Sequence, residues 1–279
     1  MSKSIPTFQP DGFSVTAAEP WIQYKIDTIR EYLTLYVNRV ASIVDEIIFV
    51  DLFSGNGFYS LGPNNEVFPG SSLMALTQDL PINRFVLCER DPEALRILKI
   101  RINRYFKGKN VILLEGHPDH LAEKFKMYLP VSKSSYKVGL ICVVDPFSFD
   151  LSFNTMDKLA SQRCSFIVPF NLVINERMNF EYYLVEEREK VKSFFGGYRD
   201  IERLEKKISS NEQFYKRMVS VYEQNLIELG LNGSTSVHKL DSGLMELKTF
   251  QIGFYSKVVQ AREIINAVDS KRNSQFELF

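Results

Sequence analysis

The sequence predicts an α/β fold with a mostly parallel sheet, and three observations carry the prediction. Short apolar runs recur at Ile47–Val50, Arg84–Cys88, Val111–Leu114, Val138–Val144 and Ser165–Val168, with helical patterns between them. Runs without alternation are strands buried on both faces, and their alternation with helices implies parallel neighbours. The first run ends in Asp51 and passes into the turn Phe53-Ser54-Gly55-Asn56-Gly57, the strand-turn arrangement from which α/β sheets bind ligands. Finally, Asn175 to about Leu229 is charged, helical and strand-free, and Ser236–Leu240 and Thr249–Tyr255 follow as an antiparallel C-terminal hairpin.

Each element has its local reason. Pro20 opens a helix over Trp21 to about Val44, with Ile22, Ile26, Ile29, Leu33 and Val37 on one face. Gly62, Pro63, Asn64, Asn65 and Pro69 mark Leu61–Pro69 as a loop before the helix Ser71–Gln78, either a lid or substrate loop or a tolerated surface insertion. Asp91 as N-cap and Pro92 at the first helical position start a helix to Tyr105. Further helices are expected over Asp119–Tyr128, Phe153–Ser161 and about Lys257–Val268, with Val131–Tyr136 a loop. The expected organisation is a helical extension (1–45), an α/β core (46–174), an inserted helical lobe (175–230), and C-terminal strands and helix completing the core (231–279).

With 279 residues, 45% of them hydrophobic, the chain can bury a full core. It carries 34 basic and 34 acidic residues, so no global field draws it to nucleic acid or membrane. Cys88, Cys142 and Cys164 are far apart in apolar runs and read as buried hydrophobes of a reducing compartment, without metal or redox spacing. The N-terminus MSKSIPTFQPDGF lacks the apolar core of a signal peptide, and no run approaches a membrane span. The expectation is a cytoplasmic, soluble protein with no membrane partner and no metal.

Candidate chemistry gathers at the strand ends. An acid at Asp51 beside Phe53, Ser54, Gly55 and Gly57 repels phosphate and suits a ligand that is cationic or hydroxyl-rich there, which points to S-adenosyl-L-methionine (SAM) rather than a dinucleotide. No GxGxxG is present, so a nicotinamide-dependent oxidoreductase fits poorly. Glu89, with Arg90 beside it, ends the second run, where a carboxylate can accept both hydroxyls of a ribose; its other role is an acid at a helix start. Gly116 and His117 end the third run, at an adenine edge. Asp145-Pro146-Phe147 ends the fourth and is the candidate catalytic segment, although a strand-end Asp-Pro is also an ordinary turn. Asn175 and Arg177 follow the fifth, either to hold an anionic substrate or to cap the helical lobe. Lys25, His117 and His120 read more readily as wall residues than catalysts. Glu186-Glu187-Arg188-Glu189-Lys190 reads as a solvated helix face.

Asp145-Pro146-Phe147-Ser148 resembles the D-P-P-Y box of amino-methyltransferases, with Phe147 in the second proline's place and Ser148 in the aromatic's. The series WIQYKIDTIREYL, FVDLFSGNGFY, PGSSLMAL, FVLCERDPEAL, VVDPFSF, VINERM, FFGGYRD and FQIGFYSKVVQAREI resembles class I SAM-dependent methyltransferases, and more narrowly the three-Cys-motif partner family, nearly end to end. The resemblance implies a Rossmann-like methyltransferase sheet and a methyl transfer whose acceptor is undefined, a nucleobase amine in nucleic acid being the guess. It also implies a three-Cys-motif partner protein. Asp51, Gly55, Gly57 and Glu89 become SAM-binding positions, and Asp145 and Phe147 face the acceptor. The chain departs from the pattern at His117, where relatives carry an acid. The rival from another class is a non-catalytic SAM-fold protein that docks its partner through the helical lobe.

Overall fold

A computed structural model describes residues 8–64, 66–205 and 207–276. The N-terminal residues before Phe8, Asn65 in the expected loop, Lys206 in the helical lobe and the tail beyond Phe276 lie outside the described residues. The chain divides into two units, Met1–Val144 and Asp145–Phe279.

In the first unit the elements run β1 (Thr16–Ala18), α1 (Pro20–Val40), β2 (Glu46–Asp51), β3 (Phe58–Leu61), β4 (Glu66–Pro69), α2 (Ser71–Thr77) and β5 (Arg84–Glu89). They continue with α3 (Pro92–Tyr105), β6 (Val111–Glu115), α4 (Pro118–Leu121), α5 (Phe125–Tyr128) and β7 (Val138–Val143). Strands β6, β5, β2 and β7 lie side by side in that order, all parallel. Every residue of β2 and β7 is buried, which is why their sequences show no alternation. The apolar stripe of α1 is fully buried at Ile26, Ile29, Leu33 and Val37, and Tyr36 donates to the Leu140 carbonyl at 3.0 Å. The helix ends at Val40 rather than Val44; Val44 is apolar because it packs on Gly139 of β7, not because the helix reaches it.

Two expectations are corrected here. The stretch Leu61–Pro69 is mostly strand: β3 and β4 pair antiparallel from Phe58↔Pro69 to Leu61↔Glu66, and β1 adds to β3 in parallel. Gly62, Pro63 and Asn64 lie at the tip and Pro69 ends β4, while Val67 and Phe68 are buried. The expected helix Asp119–Tyr128 is two short helices, because Lys124 donates to the Leu121 carbonyl and Met127 to that of Lys124. These three-residue bonds tighten the chain while leaving Leu121, Phe125 and Leu129 facing inward.

The second unit holds α6 (Phe153–Ser161), β8 (Ser165–Phe170), α7 (Phe180–Val185), α8 (Arg188–Phe195), α9 (Tyr198–Glu205) and α10 (Asn211–Glu228). It ends in β9 (Asn232–Lys239), β10 (Thr249–Ser256) and α11 (Ala261–Phe276). Strand β10 pairs antiparallel with both β8 and β9. The strand-free stretch is the four helices α7–α10. Its aromatic residues form core: Phe149 meets Tyr183 at 4.9 Å and Phe194 at 5.1 Å between ring centroids, and Phe194 stacks on Tyr222 at 4.6 Å. The charge run is solvated, with Lys190 paired to Glu187, Lys192 to Glu189, and Arg188 to Glu205.

With β1, β3 and β4 left out, β2, β5, β6, β7, β8, β9 and β10 are strands one to seven in chain order. The first unit then has order 3-2-1-4, and the second has order 5-7-6 with its seventh strand antiparallel. This is a mixed α/β, Rossmann-like fold. Among the described residues no helix is long and apolar enough to cross a membrane.

Candidate functional site

In a 3-2-1-4 sheet the chain leaves β2 toward β5 and β6, then returns to the other side of β2 as β7. Strand order reverses beside β2, and ligands of open α/β sheets bind outside the carboxyl ends at that point. Asp51 closes β2 in register with Leu87 and Val143, and Glu89 closes β5 in register with Glu115 at the end of β6. Three carboxylates therefore terminate three neighbouring strands at one edge.

Glu89 is the hub. Its Oε2 accepts the Gly55 N–H at 2.8 Å and its Oε1 accepts the Asp91 N–H at 2.9 Å, while its carbonyl accepts the Gly116 N–H at 2.9 Å. The structure thus brings together Gly55, Glu89 and Gly116, which are far apart in sequence. A carboxylate has about four lone-pair sites, so each oxygen keeps acceptor capacity beyond its one backbone bond. Arg90 is exposed next to it.

The glycine turn is built around two left-handed residues, Gly55 (φ +58°) and Gly57 (φ +91°). At Gly57 a Cβ would stand 2.7 Å from Leu73 Cδ1 and 2.8 Å from Leu98 Cδ1, so that glycine is demanded by the core behind it. At Gly55 a Cβ would meet nothing closer than the Gly57 nitrogen at 4.0 Å, which leaves an open face where a ligand can reach backbone. Ser54 donates its N–H to the Cys88 carbonyl at 2.9 Å, and Gly70 donates to the Gly57 carbonyl at 2.8 Å. The β3–β4 hairpin is thereby pinched off between the turn and α2.

The sequence reads Asp51 as an acid that meets the ligand, and in the structure its carboxylate turns inward. It is fully buried, with Oδ1 accepting the Phe53 N–H at 3.0 Å and Oδ2 accepting the Ser71 hydroxyl at 2.6 Å. Asp51 shapes the turn from within. Burial, reinforced by the charges of Asp51 and Glu89, pushes the Cys88 thiol well above its ordinary range. His117 caps α4, its Nδ1 accepting the Asp119 N–H at 3.3 Å. Lys25 is buried on the inner side of α1, its Nζ 5.6 Å from the Trp21 ring centroid.

The remaining predicted residues belong to the second unit. Asp145 and Pro146 are buried and Phe147 is 48% exposed, whereas Phe149, two residues on, enters the aromatic core. The Asn175 side chain accepts the Arg177 and Met178 N–H groups, each at 2.9 Å. Asn175 and exposed Arg177 line a cavity of about 430 Å³ with Glu176, Leu244, Met245 and Glu246. Among the described residues no group of three or more His, Cys, Asp or Glu side chains is arranged to hold a metal.

Sequence reasoning missed Ser71, Asn56, Arg101 and Asp11. Arg101 is fully buried and binds both Asp11 and Asn56. The available signal was an arginine on the inner face of α3, among Ile97, Leu98 and Ile102.

No protein-family model matches the chain, and neither does any curated protein. Solved structures do. Protein LPL1258 from Legionella pneumophila is similar at 14% identity and TM-score 0.50, over 88% of this chain and 90% of that one. Trm1 from Pyrococcus horikoshii, in complex with S-adenosyl-L-methionine, is similar at 12% identity and TM-score 0.45, over 93% of this chain and 61% of that one. A putative caffeoyl-CoA O-methyltransferase from Staphylococcus aureus is similar at 14% identity and TM-score 0.42, over 83% and 82%. At these identities the likeness to LPL1258 bears on the fold alone.

Proposed function

We propose that this chain is a SAM-dependent methyltransferase. The observation that carries the reading is Glu89, a strand-end carboxylate that ties the glycine turn to the start of α3 and keeps lone pairs for a vicinal diol. The residues present fit the cofactor. Glu89 takes the ribose hydroxyls, the open face at Gly55 admits the amino-acid end, and Gly116-His117 border the adenine. The carboxylates of Glu89 and Glu115, which end β5 and β6, favour a ligand that is cationic at its sulfur. When bound, the cofactor supplies a methyl group on that sulfonium.

The acceptor segment in this reading is Asp145-Pro146-Phe147, on its resemblance to the D-P-P-Y box. Phe147 offers a half-exposed ring to a planar group, and the Asp145 carboxylate accepts a hydrogen bond from an attacking amine. Asn175 and Arg177 contact the rest of the substrate. Catalysis is then mostly alignment of donor and acceptor. A nucleobase amine is the acceptor we infer, from the resemblance of this segment to amino-methyltransferases. The motif series also supports membership of the three-Cys-motif partner family, with a protein partner.

Calorimetric titration with SAM, its demethylated product and NADH tests the reading. Wild type should bind the first two. Glu89→Gln should bind them roughly 10- to 100-fold more weakly, because a hydrogen bond to a charged group contributes about 1.5–3 kcal/mol. Preference for NADH, or no binding of any ligand, overturns the proposal. SAM binding without turnover on nucleic acid, protein or small-molecule pools, with and without a partner, would turn it toward an accessory role.

A further inference from the structure

Arg101 spends all five of its N–H donors. Nε donates to Asp11 Oδ2 at 2.8 Å, and one terminal nitrogen donates to Asp11 Oδ1 at 2.9 Å and the Ser14 carbonyl at 3.0 Å. The other donates to the Asn56 carbonyl at 2.8 Å and the Asn56 side-chain oxygen at 2.9 Å. Both Arg101 and the Asp11 carboxylate are out of solvent, and the guanidinium lies 4.5 Å from the Phe58 ring centroid. Asn56 is the middle residue of the glycine turn. Its side-chain oxygen also accepts the Phe58 N–H at 3.0 Å, which fixes where the chain leaves the turn.

The grip matters because a Gly-Asn-Gly turn is conformationally loose. Glycine loses more freedom on ordering than any other residue, and here two flank the held position. The N-terminal segment supplies the other half of the clamp. Phe8 packs on Phe58 at 4.8 Å and Tyr105 at 5.4 Å, and Thr16–Ala18 pair in parallel with Tyr59–Leu61. One stretch of chain thus holds the strand that leaves the turn and, through a single arginine, the turn itself.

We propose that residues 11–14 are a latch: docked on Arg101, they hold Gly55-Asn56-Gly57 in its ligand-ready shape, so that cofactor affinity depends on docking of the N-terminal segment. The inference rests on reading this turn as the SAM site. Arg101 is a positioning residue acting through Asn56. Coupling of this kind is reciprocal, so cofactor must tighten the docking of the segment by the factor by which docking tightens cofactor.

The test uses the full chain and the demethylated product of SAM as ligand. Asp11→Asn keeps the shape and removes the charge, and Arg101→Lys keeps the charge and removes the fork. Each should remain folded by circular dichroism and bind the product about tenfold or more weakly, with Asp11→Glu restoring part of the affinity. Hydrogen exchange on wild type should slow across residues 9–14 on saturation, by the same factor. A purely structural ion pair would lower the unfolding temperature and leave both readouts unmoved. Unchanged affinity in folded Asp11→Asn overturns the latch, and so does exchange at 9–14 that is indifferent to ligand. The exchange arm decides if the variants do not fold. A wild type that binds neither SAM nor its product overturns the cofactor reading itself, and the latch with it.

Discussion

Gly57 and Gly55 both have positive φ, yet alanine at each should fail differently. At Gly57 an L-residue in the left-handed region costs about 1–2 kcal/mol. The added methyl would also stand 2.7 Å from Leu73 Cδ1 and 2.8 Å from Leu98 Cδ1, well inside the ordinary 3.5–4.0 Å carbon contact. Overpacking of that kind costs about 1–3 kcal/mol. The sum, roughly 2–5 kcal/mol, should lower the unfolding temperature by roughly 4–10 °C at about 2 °C per kcal/mol for a chain of this size. At Gly55 only the backbone cost of about 1–2 kcal/mol applies, since nothing lies closer than 4.0 Å. Its methyl would instead occupy the open face of the turn and exclude ligand, costing about tenfold or more in SAM affinity. Scanning calorimetry and isothermal titration on both variants read the two effects apart. A Gly57→Ala protein as stable as wild type would refute the packing argument, and a Gly55→Ala protein with wild-type affinity would show that ligand does not approach that face.

Three further outcomes are expected. Asp51→Ala takes the acceptor from two donors, the buried Ser71 hydroxyl and the part-buried Phe53 N–H. At about 1–3 kcal/mol each this should move the urea midpoint well down, whereas a small shift would mean that the inward carboxylate is not structural. Asp145→Ala should leave SAM binding within twofold and remove methyl transfer; surviving transfer would put the acceptor elsewhere. The Arg101 guanidinium holds the Asp11 carboxyl below its ordinary value of 3.8. Its contribution to stability is therefore present above that value and lost as pH falls through the depressed folded value. The stability gap between wild type and Asp11→Asn should be constant at neutral pH and shrink below about pH 4; a gap unchanged in acid would argue that the charge is not what matters.

The buried strands were legible because burial on both faces forces a continuous apolar run, as in β2 and β7, and the helix at Pro92 was legible because its cap chemistry is local. Glu89 and Gly55 were legible as candidates for the same reason: strand-end acids and turn glycines declare themselves over a few residues. The β3–β4 hairpin was not, since Gly62, Pro63 and Asn64 at its tip outweigh the strand signal of Val67, which bridges distant Phe8, and of Phe68, which stacks on Tyr59 across the hairpin. Nor was the direction of Asp51, which turns inward because Ser71, twenty residues on, offers it a hydroxyl. Arg101 is the extreme case, with its carboxylate partner ninety residues away. Periodicity and caps are properties of neighbours along the chain and can be read there. The partner of a buried charge is decided by which distant segments the packed backbone brings within hydrogen-bond reach, and only the tertiary structure contains that.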